Sequence, residues 1–394
     1  INLEEKMNIN NYFDYNATTP VDPRVVEEMT PFFSENFHNP SSFYSKAGEA
    51  NHAITIARER VAKLINANED EIFFTSGGTE SDNLAIQGIV SRFKEKGNHI
   101  ITSAIEHPAV LKTCEFLSKQ GYEVTFLPVD EKGYISPEEL KGNIKECTIL
   151  VTIMHANNEI GTLQPLKELA GIAHSRGVYF HTDAVQATGK IPVDVKVLDV
   201  DLLSFSSHKL YGPKGMGVLY KKKGIKIDPL LFGGAHEKGL RAGTENVTGI
   251  VGLGKAADLA LAEMDGEEKR LRPLRDRIKK GIIDTVPEIL INGDPENGLY
   301  NTLNVSIKYI EGESILAMLD GQGFALSSGS ACSSKSLEPS HVLLAIGLKH
   351  EDAHGSLRIS LGKYNTEEAV DGLLKALPPV VERLRSMSPF WKSK

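Results

Sequence analysis

Residues 204–220 read SFSSHKLYGPKGMGVLY, and their order decides the fold. The apolar run that begins at Leu202 ends in serines, and His208 and Lys209 follow. After them come a turn rich in glycine and proline and then a second apolar run. Each run has the length of a buried strand, and the residues between them exclude a helix. Lys209 therefore falls just past the end of a strand. The same rhythm extends upstream, where EIFFTS, HIITS, TILVTIM and VYFHTD read as strands. Between them lie helical patterns at 80–96, 109–120 and 166–175. This alternation predicts an α/β fold, a mostly parallel central sheet covered by helices. Ligands of such sheets bind beyond the carboxyl ends of the strands, where the polar clusters of this chain fall.

Downstream, a long charged helical stretch at 256–284 contains Pro273, which is expected to bend or divide it. NTLNVSIKYI, SHVLLAIG, SLRISLG and NTEEAVDGLLKALPPVVERL then predict a smaller C-terminal α+β domain. Its last helix is expected to be capped by Asn365 or Thr366, with Glu367 and Glu368 in the first turn. The expected division is a large domain over 1–260 and a small one over 261–394, with the N-terminal segment packing on the small domain.

The 44 Lys and Arg against 52 Asp and Glu leave a net charge of −8, which gives no general attraction to nucleic acid or an anionic membrane. Neither is expected as a direct partner. No apolar run reaches the roughly 18 residues of a membrane span, and the opening INLEEKMNINN lacks the basic and apolar parts of a secretory signal. A cytoplasmic location is the expectation. The three cysteines have no CxxC spacing, so neither a disulfide framework nor a cysteine-built metal site is expected.

Three polar clusters carry chemistry. In TSGGTESDN, a strand leads through Gly77 and Gly78 into a helix, so the N–H groups of Gly78 and Thr79 can face an anion; an ordinary glycine turn with a helix cap is the plainer alternative. In FHTDAVQATG, Asp183 follows a strand and can hold a protonated ring nitrogen, with Gln186 three residues on; capping the next helix is its plainer role. In SSHK, Ser206 and His208 flank Lys209, whose partly desolvated amine suits Schiff-base chemistry, whereas a surface lysine is the bland reading. One crevice thus offers an amine, a carboxylate and an anion cup. That set fits pyridoxal 5′-phosphate, with His107 of EHPAV placed to stack on its ring.

Cys332 stands apart in LSSGSACSSK, among serines and glycines with little to bury it. Cys114 lies on an apolar helical stripe with Val110, Leu111 and Leu117, and Cys147 precedes a strand; both read as structural.

The segments YFDYNATTPV, FHNPSS, TSGGTESDN, EHPAV, HANNEIGT, HTDAVQ, SSHKLYGPKG, RAGTEN, SSGSACSS, EPSHVL and RISLG run in order along nearly the whole chain. Together they resemble class V, fold type I pyridoxal-phosphate enzymes, and within them the NifS/IscS group of cysteine desulfurases. The resemblance implies that Lys209 bonds the cofactor aldehyde and that His107 stacks on its ring. Asp183 and Gln186 then meet the ring nitrogen and phenolic oxygen, while Gly78, Thr79, Ser206 and His208 form the phosphate cup. Thr244 reaches the cofactor phosphate of a neighbouring subunit, which implies a homodimer. Asn158 and Arg358 hold the carboxylate of L-cysteine, and Cys332 accepts the sulfur as a persulfide for an iron–sulfur cluster scaffold or another acceptor. Gly78 replaces an alanine common in relatives. A selenocysteine lyase and a class V aminotransferase are the alternatives; the RxGHHC pattern of many selenocysteine-linked relatives is absent.

Overall fold

The computed structural model describes residues 8–328 and 338–391. Its larger sheet contains β1 (Ile72–Thr75), β2 (His99–Ser103), β3 (Glu123–Leu127), β4 (Thr148–Thr152), β5 (Tyr179–Asp183), β6 (Leu202–Ser206) and β7 (Gly217–Lys221). They lie in the order β1-β7-β6-β5-β4-β2-β3. From β3 to β6 every neighbouring pair is parallel, while β7 runs antiparallel to both β6 and β1. Strand β3 escaped the sequence reading because it is an edge strand whose half-exposed residues break the apolar run.

Central strands are buried along their length, as expected where helices cover both faces of a parallel sheet. Because β1, β2, β4, β5 and β6 point the same way, the segments after them emerge along one edge. Gly217 opens β7 at that edge, where a Cβ would come within 2.4 Å of the Gly77 backbone. Only glycine lets β7 lie this close to the loop that follows β1.

The smaller sheet is antiparallel in the order β10-β9-β8, formed by β8 (Ile289–Asn292), β9 (Thr302–Ile307) and β10 (Ser356–Ser360). One 39-residue helix, Val247–Thr285, joins the two regions. Its first half buries Ile250, Leu253 and Ala257 in the core of the large sheet; its second half buries Leu271, Ile278 and Ile282 against the small one. Residues 260 and 261 thus sit inside a continuous helix. Pro273 lies inside it without dividing it. A proline removes one backbone hydrogen bond, and burial of Leu271, Leu274 and Ile278 around it, each contributing about 1.5–3 kcal/mol, offsets that loss.

The N-terminal segment crosses between the two regions. Phe13 is buried with the small-sheet core, and backbone bridges join Tyr12 to Ala325 and Asp14 to Ser360. Three residues after Phe13, the Asn16 carbonyl accepts hydrogen bonds from side chains of the large sheet's edge. The helix Glu367–Met387 is capped by Thr366, whose hydroxyl accepts the Ala369 N–H at 3.2 Å. Asn365 instead donates to the carbonyls of Asn10 and Tyr12 and so ties down the N-terminal segment.

Candidate active site

A cleft of about 300 Å³ opens at the carboxyl edge of the large sheet. Gly78, Thr79, His107, Asn158, Asp183, Gln186, Ser206, His208, Lys209 and Arg358 all line it. All but Arg358 come from segments that follow or end strands of the large sheet, and the strand order brings these together; Arg358 reaches the cleft from β10 of the small sheet.

Lys209 closes a short 3-10 turn, Ser207–Lys209, directly after β6. Its amine donates to the carbonyl oxygens of Ala17, at 2.7 Å, and Asn16. His208 beside it shares a 3.0 Å hydrogen bond between Nδ1 and the Thr18 hydroxyl, and burial, aided by the Lys209 charge, pushes it down to about 4. Asp183 ends β5, where its Oδ1 accepts the Val185 N–H at 2.8 Å. Burial raises its carboxyl above the ordinary range, opposed by the Val185 N–H and the Lys209 charge. A cation set against this carboxylate would restore its ionised form.

Asp82 lines the same cleft and is buried, with Oδ1 lacking a hydrogen-bond partner. Burial, and then the Asp183 charge, raise its carboxyl well above the usual range. His181 is held between the hydroxyls of Thr152 and Ser204 at 2.8 and 3.0 Å, and burial pushes it down to about 3. His181 Nε2 also lies 3.7 Å from Asp82 Oδ1.

His107 caps the helix Pro108–Lys119, its Nδ1 accepting the Ala109 N–H at 3.1 Å. Burial pushes the imidazole down to about 4, with the Lys209 charge adding to the effect. The ring is neutral at ordinary pH, and because Nδ1 accepts, the proton resides on Nε2. Capping and lining the cleft are thus roles of one side chain.

Arg358 rises from β10 and is 2% exposed. Its Nη2 donates to Asp14 Oδ1 at 2.7 Å and its Nη1 to the Asn158 carbonyl at 3.2 Å, while Nε is buried without a partner. The guanidinium is fixed by these two contacts and borders the cleft beside Asn158.

The donor set fits pyridoxal 5′-phosphate. The helix Gly78–Arg92 begins without a side-chain cap, leaving first-turn N–H groups for a phosphate. A Cβ on Gly78 would stand 2.7 Å from Val185 Cγ2, so the missing methyl gives Val185 its place in the cleft wall. The Asp183 carboxylate suits a ring cation and the Lys209 amine suits an aldehyde.

Thr244 lies outside this cleft and is exposed. Cys332 lies outside the described residues. Asp82, Asn16 and Lys190 were missed by the sequence reading. An acid within a helix, a residue ahead of a turn and a lysine after a glycine all read as ordinary surface, and only long-range partners reveal their burial.

Among known proteins, residues 11–373 match the family model described as aminotransferase class-V. The cysteine desulfurase IscS of Methanosarcina thermophila is 57% identical over 379 residues, covering 96% of this chain and 94% of its own. A solved NifS-like protein superposes with a TM-score of 0.90 at 42% identity, over 95% of this chain and all of its own. SspA, solved in complex with cysteine, gives a TM-score of 0.80 at 39% identity, over 90% of this chain and 100% of its own.

Proposed function

This chain belongs to the class V aminotransferase family and is a pyridoxal-phosphate-dependent cysteine desulfurase; on that premise we propose how its residues divide the work. The enzyme converts L-cysteine to L-alanine and transfers the sulfur to a cysteine of its own as a persulfide. The observation that carries the assignment of residues is the convergence of Lys209, Asp183 and the uncapped helix start at Gly78 on one cleft.

Pyridoxal 5′-phosphate, when bound, supplies an electron sink that acidifies the substrate's α-proton. Gly78, Thr79, Ser206 and His208 would hold its phosphate, Asp183 would pair with its ring nitrogen, Gln186 would donate to its phenolic oxygen, and His107 would pack against the ring. Arg358 and Asn158 bind the substrate carboxylate and orient the α-carbon. The Lys209 amine, held near the Ala17 carbonyl, takes and returns the proton. His107 keeps its proton on Nε2 and can donate it within the cleft. Cys332, as thiolate, attacks the substrate sulfur; an S–S bond forms, the carbon–sulfur bond breaks, and its electron pair remains with the product that becomes alanine.

A homodimer is the proposed active form. Thr244, exposed and outside its own chain's cleft, supports it, as do the exposed aromatics Phe33, Phe43 and Phe232, whose large apolar side chains are suited to burial against a partner. An acceptor protein with its own thiols, of the iron–sulfur scaffold kind, is the proposed recipient of the persulfide sulfur.

Borohydride reduction of the holoprotein followed by peptide mapping tests the central assignment. Label on Lys209 is expected; label on another lysine overturns it. In the same preparation, alanine formed from L-cysteine tests the activity directly.

A further inference from the structure

Lys190 is a buried lysine for which the mechanism above has no use. It is 7% exposed, follows the turn at Gly189 (φ +80°) and points away from solvent. A Cβ on Gly189 would also meet Leu210 Cβ at 3.0 Å, so the turn that places Lys190 depends on glycine twice. Burying an amine is costly unless its hydrogens are satisfied. Here Nζ donates to Gln186 Oε1 at 2.6 Å and to Asn16 Oδ1 at 2.9 Å.

These contacts decide which way the Gln186 amide faces. Its Nε2 donates to the Asn16 carbonyl at 2.9 Å, an atom that can only accept. Its Oε1 faces the lysine amine, a donor. Reversing the amide would set an oxygen against a carbonyl and an NH₂ against the lysine. With one Nε2 hydrogen committed to Asn16, the other is available on a side chain that lines the cleft. The charged groups around Lys190 are Lys209, Arg358 and, from the long helix, Glu267. Glu267 and Tyr15 border a pocket of about 30 Å³ shared with Lys190, and the Glu267 Oε1 and Tyr15 hydroxyl are buried without hydrogen-bond partners. Burial lowers the Lys190 amine well below its ordinary range, the Lys209 and Arg358 charges add to the effect and Glu267 opposes it; neutral or charged, the amine has hydrogens enough for both contacts.

We propose that Lys190 is a positioning residue for the cofactor: it fixes the Gln186 amide so that an N–H, and never the carbonyl oxygen, meets the phenolic oxygen of the pyridoxal ring. The inference rests on the reading that the cleft holds that ring. Without Lys190 the amide is pinned at the Asn16 end only, and its oxygen is a buried acceptor in search of a donor. The amide then turns or is drawn off the ring, and one hydrogen bond to the cofactor is lost.

A double-mutant cycle on cofactor affinity tests this. Apoprotein is prepared from wild type, Lys190→Met, Gln186→Ala and the double variant, and the dissociation constant for pyridoxal 5′-phosphate is measured for each. Lys190→Met is expected to bind about tenfold more weakly, the worth of one hydrogen bond. The double variant should bind no more weakly than Gln186→Ala alone. Lys190→Arg, which also only donates, should recover most of the loss. The visible circular dichroism of the bound cofactor should change in Lys190→Met, because it reports ring orientation. Additive losses in the cycle, or unchanged affinity and dichroism in Lys190→Met, overturn the proposal. If Lys190→Met does not fold, Lys190→Leu, which likewise donates nothing, runs the same cycle with the same criterion. Wild-type apoprotein that fails to bind the cofactor would instead overturn the reading of the cleft, a result distinct from additivity.

Discussion

Asp14 and Arg358 lie 344 positions apart in the chain, and the Asp14 carboxylate accepts a hydrogen bond from Arg358 Nη2 at 2.7 Å. The pair joins the N-terminal segment to β10 at the rim of the cleft, with the Arg358 side chain 3% exposed and that of Asp14 18%. A guanidinium this buried needs a partner, and Asp14 supplies the charge before substrate arrives.

Replacing Asp14 by Asn should therefore lower stability by about 3 kcal/mol, the low end of the range for breaking a buried pair. The substrate carboxylate would then become the only anion bonded to Arg358. Addition of L-cysteine should raise the melting temperature of Asp14→Asn by more than that of wild type. Equal shifts in the two proteins would show that Asp14 does not compete for the guanidinium.

The cysteines should separate cleanly. Cys114 is fully buried, and burial pushes its thiol up to about 12, so it carries no thiolate at working pH. Cys114→Ser should keep turnover and lose about 1–3 kcal/mol of stability through the buried hydroxyl. Cys147→Ser should keep both. Cys332→Ser should retain cofactor and substrate binding but lose protein-bound persulfide and alanine formation, assayed without added thiol. Normal persulfide in Cys332→Ser with loss in another variant would reassign the acceptor.

Glu106 predicts a pH effect of defined sign. Burial pushes its carboxyl up to about 8 against the pull of the Ser103 hydroxyl and the Met154 N–H, and its Oε2 has no partner. Below the ordinary value of 4.5 the acid is protonated folded or unfolded, and it costs nothing. As pH rises toward 8 the unfolded chain releases a proton that the folded chain keeps, so folding loses stability. Glu106→Gln removes that loss. Denaturant unfolding at pH 5 and pH 8 should show the variant gaining on wild type by on the order of 2–4 kcal/mol across the interval. The buried histidines are common to both proteins and cancel. A difference that is flat with pH would mean that Glu106 is ionised in the folded protein.

Subunit mixing tests the role of Thr244. If Thr244 completes the partner's phosphate site, Lys209→Ala and Thr244→Ala chains should each be impaired alone. Their heterodimer should hold one intact site, because the Lys209 of one chain meets the Thr244 of the other. Reassociated mixtures should recover activity that neither parent shows. Absence of recovery in proven heterodimers would place Thr244 outside the site.

The sequence by itself determined the parallel core of the large sheet and most of the cleft. Strand ends such as HTD and SSHK name their own position, since an apolar run of strand length must be buried and the polar residues after it must emerge at the sheet edge. Asp183, Lys209, Gly78 and His107 were legible for that reason. Their local chemistry and their place after a strand are both properties of a few neighbouring residues. Only the tertiary structure decided what surrounds them. Lys190 reads as a surface lysine until Asn16, 174 positions away, is found accepting its hydrogen bond. Asp82 reads as one more acid on a helix until burial in the cleft and the Asp183 charge are found acting on it. The half-exposed edge strand β3 and the unbroken passage of a helix through Pro273 were likewise hidden, because each is settled by packing against segments far along the chain. Local pattern fixes where a side chain emerges; burial and charge depend on what the rest of the fold brings against it.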